Sequence, residues 1–218
     1  MLHAPSQHPY EEIQYLGLVI AKTGVDQRHV GIIYKTDDTP VQFCHLAWHH
    51  RLIIKDDPRR DPNIIYYWVD PIDLEDDDKK YIASWLESSL QDANVPYGFD
   101  PSNSSFQMDG TFIHPPIGKG FTCATFVDAL LRSLGYSLLN TATWSERDDD
   151  IPWQQKIIAW LRLNGASAEH VAALENDLGF VRIRPEDVIA SACCSPWPVA
   201  FETMSPIAQA IRQEITSL

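Results

Sequence analysis

The feature that most constrains this chain is a change of hydrophobic period near residue 73. Before it, apolar runs recur at short intervals: Ile13–Lys22 (IQYLGLVIAK), Arg28–Lys35 (RHVGIIYK), Val41–Trp48 (VQFCHLAW), Leu52–Lys55 and Asn63–Asp70 (NIIYYWVD). Each has the length and the β-branched or aromatic content of a strand. The polar Thr36-Asp37-Asp38-Thr39-Pro40 between the second and third has turn chemistry. After residue 73, Ile82, Trp85, Leu86 and Leu90 recur at helical spacing behind a run of acids that favours a helix start. Further helices are expected at Cys123–Leu134, Trp153–Leu163, Ala168–Leu178, Pro185–Ala192 and Pro206–Thr216, with a short strand at Phe180–Arg184. A sheet first and helices afterwards, without regular βαβ alternation, is an α+β plan.

Two units follow from this order. Residues 1–140 form the core, and 141–218 form a helical C-terminal extension packed on it. Within the core, Asn94–Gly120 keeps no period and holds Pro96, Pro101, Pro115 and Pro116, which marks a long functional loop. The chain's 218 residues are enough to bury a core without staples. No apolar run approaches the roughly 20 residues of a membrane span. Met1–Glu12 is polar, with no apolar stretch of a secretory signal. A net charge of −13 argues against sequence-independent nucleic-acid binding and against anionic membranes. Cys44, Cys123, Cys193 and Cys194 make no disulfide framework, so a reduced, cytoplasmic compartment is expected.

Chemistry concentrates at one helix start and one hairpin. Cys123 falls in the first turn of its helix, behind Thr122 as N-cap, where unpaired N–H groups stabilise a thiolate. It shares a stripe with Phe126, Val127 and Leu130, and Gly118 and Gly120 let backbone come close. By itself this position also suits a small core residue. A hairpin turn centred on Asp37 places His29 directly opposite His45, on one face with Gly31, Ile33, Val41, Phe43 and Ala47. That face is expected to be the one the Cys123 helix covers. A zinc site from Cys44, His45, His49 and His50 with Cys123 or His114 is the competing constellation. It is weakened because Cys44 and His45 point to opposite faces of a strand and no C-x-x-C or H-E-x-x-H is present.

RHVGIIY, CHLAW, VPYGF and GFTCATFV, in that order, resemble the permuted NlpC-like branch of the papain fold, which includes the lecithin:retinol acyltransferase-like and YiiX-like enzymes. The resemblance spans roughly residues 13–135. It implies Cys123 as nucleophile, His29 as base and His45 as the residue that orients the base, and it matches Tyr97 to an element that often precedes the cysteine. Thr122 stands where these families often have Asn or Tyr. No C-terminal membrane anchor is expected, which turns the reading away from phospholipid or retinoid acyl transfer. Gln27, on the His29 face, is a candidate second oxyanion donor beside the Cys123 N–H.

The expectation is therefore a circularly permuted, papain-like cysteine hydrolase acting on amide or (thio)ester bonds through an acyl-enzyme. An acyltransferase of the same fold and an inactive papain-like binding module are the alternatives. No cofactor and no metal are called for. The expected partner is a peptide, acyl or amide substrate, with a protein partner left open. A thiolate at this position is expected to ionise below the ordinary cysteine range and to alkylate readily near pH 6.

Overall fold

The computed structural model describes residues 2–217. Its main sheet has five antiparallel strands, β1 (Leu16–Lys22), β2 (Arg28–Tyr34), β3 (Gln42–Trp48), β4 (Arg51–Asp56) and β5 (Tyr67–Val69). The helices are α1 (Asp76–Ser88), α2 (Cys123–Ser133), α3 (Asp150–Leu163), α4 (Ala168–Asn176), α5 (Pro185–Ala192) and α6 (Phe201–Ser217). A two-stranded ribbon, β6 (Ser105–Phe106) with β7 (Phe112–Ile113), interrupts the long loop before α2. The architecture is α+β. Among the described residues no helix is long and apolar enough to cross a membrane.

The strand order is β4-β3-β2-β1-β5. The first four strands form a meander, but β5 does not extend it beside β4. It returns to the other edge and pairs with β1, Leu18 opposite Val69. The reason lies in the two strands. Leu16 to Ala21 is buried at every position, which requires neighbours on both sides, whereas β4 carries the exposed Arg51 and Lys55 suited to an open edge.

Both faces of the sheet are covered. On one, Leu18, Ile20, Val30, Ile32, Cys44 and Leu46 share a large core with α1, α2 and α5. On the other, Val19, Ala21, Ile33 and Phe43 pack with Tyr10, Ile13, Tyr66 and Trp68. The large core runs on without a break through Val188 and Ile189 of α5 to Ile215 of α6.

Three local expectations are corrected. The β2–β3 register pairs Ile32 with Cys44 and Ile33 with Phe43, so the turn centres on Asp38, and Gly31 rather than His29 falls opposite His45. Thr36 and Thr39 tie this longer loop together, the Thr36 N–H donating to Thr39 Oγ1 at 3.0 Å. Because the offset is two residues, each side chain keeps its face. Phe180–Arg184 is not a strand and makes no ladder. Helix α6 begins at Phe201 and carries Pro206 within it rather than at its start. The Ala200 carbonyl already accepts from Thr203 and Met204, so the first turn is built before the proline is reached.

Candidate active site

Cys123 opens α2, and its position is fixed by reciprocal capping. The Thr125 N–H donates to Thr122 Oγ1 at 3.2 Å, and the Thr122 N–H donates to Thr125 Oγ1 at 2.8 Å. A threonine thus performs the return bond usually made by Glu or Gln. Every residue from Cys123 to Leu131 is buried, so no single stripe of α2 faces inward.

Helix α2 packs on the Val30–Leu46 face, and the histidines lie on the opposite face. This overturns the expectation that His29 and His45 stand beneath the helix. Cys123 and His29 nevertheless line one cavity of about 860 Å³. The parting of two strands allows it. The β2–β3 ladder holds only from Ile32 to Tyr34, and β3 shifts register against β4 on both sides of His45. Around His29 and Val30, β2 therefore has no β3 partner, and the Val30 backbone comes close enough to Cys123 to favour its ionised form.

His29 and His45 meet edge to face. Their Nε2 and Nδ1 atoms are 2.7 Å apart and their ring planes 77° apart. His45 is buried and stacked on Phe43, with ring centroids 4.1 Å apart and planes within 4°. Gly31 makes this approach possible, because a Cβ there would lie 2.8 Å from the His45 Cβ and 2.5 Å from the Phe43 ring. With its Nε2 engaged by His45, His29 keeps Nδ1 as its available ring nitrogen.

The electrostatics differ from the expected readily ionised thiol. Burial pushes the Cys123 thiol up to about 11, against opposing contributions from the Val30 backbone and the Arg182 charge. Burial also holds His29 and His45 well below the ordinary histidine range, with His45 adding to the effect on His29. Desolvation outweighs the helix start. The resting site holds a neutral thiol and neutral imidazoles.

Tyr97 also lines the cavity, its ring 5.1 Å from that of Trp48. Its backbone is clamped by two other histidines. The Tyr97 N–H donates to His49 Nδ1 at 3.1 Å, and His170 Nε2 donates to the Tyr97 carbonyl at 2.8 Å. The Phe121 N–H donates to the Pro96 carbonyl and the Gly98 N–H to the Phe121 carbonyl, tying this segment to the residues just before Cys123. Gly120 is required there, since a Cβ would meet the Pro96 carbonyl at 2.2 Å. Gln27 lies in the turn before β2; its Oε1 accepts from Trp153 Nε1 at 3.3 Å, which leaves its amide NH₂ at the cavity wall.

The residues weighed for zinc are dispersed. Cys44 is buried in the large core, away from His45. His49, His50 and His114 line a separate cavity of about 420 Å³ together with His170. No group of three or more His, Cys, Asp or Glu residues among the described ones could hold a metal ion.

Several residues at the site were not singled out from sequence. Val30 contributes through its backbone, which no side-chain pattern reports. Trp153, Trp160 and Arg182 reach the cavity from the region after residue 140. His170 sits within an ordinary amphipathic helix, with nothing in its neighbours to distinguish it. No protein-family model matches the chain, and neither a curated protein nor a solved structure matches it.

Proposed function

We propose that this chain is a cysteine hydrolase of the permuted papain-like kind, cleaving amide or (thio)ester bonds through an acyl-enzyme on Cys123. The observation that carries the reading is one arrangement. A capped helix start presents Cys123 to a cavity that also receives His29, and His29 is held from behind by His45 at 2.7 Å. A nucleophile, a base and a group that orients the base are the minimum set for acyl transfer.

The neutral resting pair defines how the first step proceeds. Cys123 Sγ attacks the substrate carbonyl carbon while its proton passes to His29 Nδ1, so ionisation accompanies attack rather than preceding it. The His29 Nε2–H donates to His45 Nδ1, which fixes the tautomer and steadies the imidazolium as it forms. The first N–H groups of α2 have no intrahelical acceptor and are directed at the oxyanion, with the Gln27 amide as a second donor. Collapse of the tetrahedral intermediate breaks the carbon–nitrogen, carbon–oxygen or carbon–sulfur bond, and the proton on His29 leaves with the departing group. Water, deprotonated by His29, then releases the acid and restores the thiol.

The test is a panel of amide, ester and thioester donors with mass spectrometry of the protein. A mass adduct on Cys123 and turnover that vanishes in folded Cys123→Ala are expected. Undiminished turnover in that variant overturns the reading.

A further inference from the structure

The cavity beside Cys123 holds a guanidinium whose charge the protein does not fully use. Arg182 lies between α4 and α5, and its side chain is only 9 % exposed. Its Cζ sits 3.6 Å from the centroid of the Trp153 ring, a stacking that fixes the plane of the fork. Trp153 is itself anchored by its bond to Gln27. Among the described residues, no hydrogen-bond acceptor reaches the Arg182 side chain, and its buried Nε is without a partner. Asp150 Oδ1, on α3, stands 3.8 Å from Nη1, beyond hydrogen-bond range, and already accepts from Arg184 at 2.7 Å. Glu186, on α5, is the acid whose charge acts most on Arg182, but its Oε2 accepts from Arg28 at 3.0 Å and its buried Oε1 makes no hydrogen bond.

The other cations lining the cavity are accounted for differently. Arg28 is paired with Glu186 at 3.0 Å in a setting where both side chains are buried. Lys156 is exposed, with Asp26 at 3.9 Å. Arg182 is thus the buried cation whose donors lack acceptors, and it lines the same cavity as the Cys123 thiol. A planar fork with unsatisfied donors is matched by a carboxylate, which can accept two parallel bonds.

Resting on the acyl-transfer reading of this cavity, we propose that Arg182 is the recognition group for a carboxylate on the acyl donor, so that the substrates are acidic peptides or N-acyl amino acids rather than neutral amides. The carboxylate comes either from a chain terminus or from an acidic side chain, and both would be held by the same fork.

Alkylation of Cys123 tests this without requiring turnover. Iodoacetate carries a carboxylate and iodoacetamide is its neutral counterpart, and peptide mapping reads each cysteine separately. At pH 8 the iodoacetate-to-iodoacetamide rate ratio at Cys123 should exceed that at the half-buried Cys194 by about tenfold or more, the range of one charge-assisted hydrogen bond. Arg182→Gln should bring the ratio down to the Cys194 value; any slowing from a higher Cys123 pKa acts on both reagents alike and cancels in the ratio, which is the readout. Equal ratios at Cys123 and Cys194 in the unmodified chain overturn the proposal whether or not the variant folds. Protection of Cys123 from iodoacetamide by N-acetylglycine, but not by N-acetylglycinamide, assigns the carboxylate to a chain terminus. Protection by N-acetylglutamate α-amide, but not by N-acetylglutamine α-amide, assigns it to a side chain, and protection by none of the four overturns the site. An iodoacetate preference in a chain that turns over no donor keeps the carboxylate site and removes the hydrolase reading; turnover without the preference does the reverse.

Discussion

Two histidine sites serve the cavity beside Cys123, one reaching it through His29 and one standing behind its Tyr97 wall, and the difference between them shows what separates a candidate catalyst from a strut. At the first, His29 and His45 bond ring to ring, and His29 keeps one nitrogen uncommitted in the cavity that Cys123 also lines. At the second, His170 receives the Gly118 N–H on Nδ1 at 3.3 Å and donates from Nε2 to the Tyr97 carbonyl, so both nitrogens are occupied by backbone. Burial lowers the proton affinity of both sites, as it does for His49. A depressed pKa therefore does not distinguish them. The number of uncommitted lone pairs does, because proton transfer needs a nitrogen without a standing partner.

The largest expected effect falls on that uncommitted nitrogen. His29→Ala should lower kcat/KM by about 10²- to 10⁴-fold, the usual contribution of a positioned base, with the fold retained by circular dichroism. A loss under threefold would place His29 with the struts. The neutral resting pair gives the next effect. Because burial raises the Cys123 pKa to about 11, the thiolate fraction grows with pH, and alkylation of Cys123 should accelerate about tenfold per unit from pH 6 to pH 10. A rate already flat from pH 5 upward would mean a preformed thiolate–imidazolium pair. Cys44, fully buried on the far side of β3, should remain unlabelled without denaturant.

The fold was legible where period and punctuation act locally. Pro185–Ala192 is a helix with the expected bounds, and α2 starts at Cys123 with Gly135 taking a φ of +96° just beyond its end. Relations between elements were harder to read. The His29 face carries Ile33, Val41 and Phe43, and the opposite face carries Val30, Ile32 and Leu46, so both are apolar and alternation alone cannot say which one α2 covers. That the histidines meet was legible, because a two-residue slip preserves their shared face. That His29 shares a cavity with Cys123 through a parted ladder was not, since the parting depends on irregular pairing on both sides of β3. Arg182 and Trp153 were invisible for a related reason. They approach His29 across more than a hundred residues of chain, and only the folded molecule sets that proximity.

A sharper form of the comparison asks whether His45 acts only through His29. Its ring faces His29 and Phe43 and does not line the cavity, so it is a positioning residue. His45→Gln keeps an oxygen able to accept the His29 Nε2–H, and kcat should fall about 10- to 100-fold, the range of one weakened hydrogen bond to a developing charge. KM should stay within a factor of about three, because no substrate contact is removed. A greater loss in His45→Gln than in His29→Ala would show that the two roles are exchanged.

The smallest expected effect on turnover comes from the second site, and it completes the contrast. His170 is 6 % exposed, and removing its ring leaves the Gly118 N–H and the Tyr97 carbonyl buried without partners. Each orphaned group carries a desolvation cost of about 1–3 kcal/mol, so His170→Ala should lower the urea midpoint clearly at unchanged slope. The Tyr97 segment would still be held by its bond to His49 and by the crossing of Pro96 and Gly98 with Phe121. The wall beside Cys123 would loosen without losing its place, and kcat/KM should fall less than about tenfold, with the dependence of Cys123 alkylation on pH unaltered. If His170→Ala instead matched His29→Ala in lost turnover while stability stayed the same, His170 would be taking part in proton transfer. Two fully occupied nitrogens would then no longer mark a strut, and the distinction between the two histidine sites would fail.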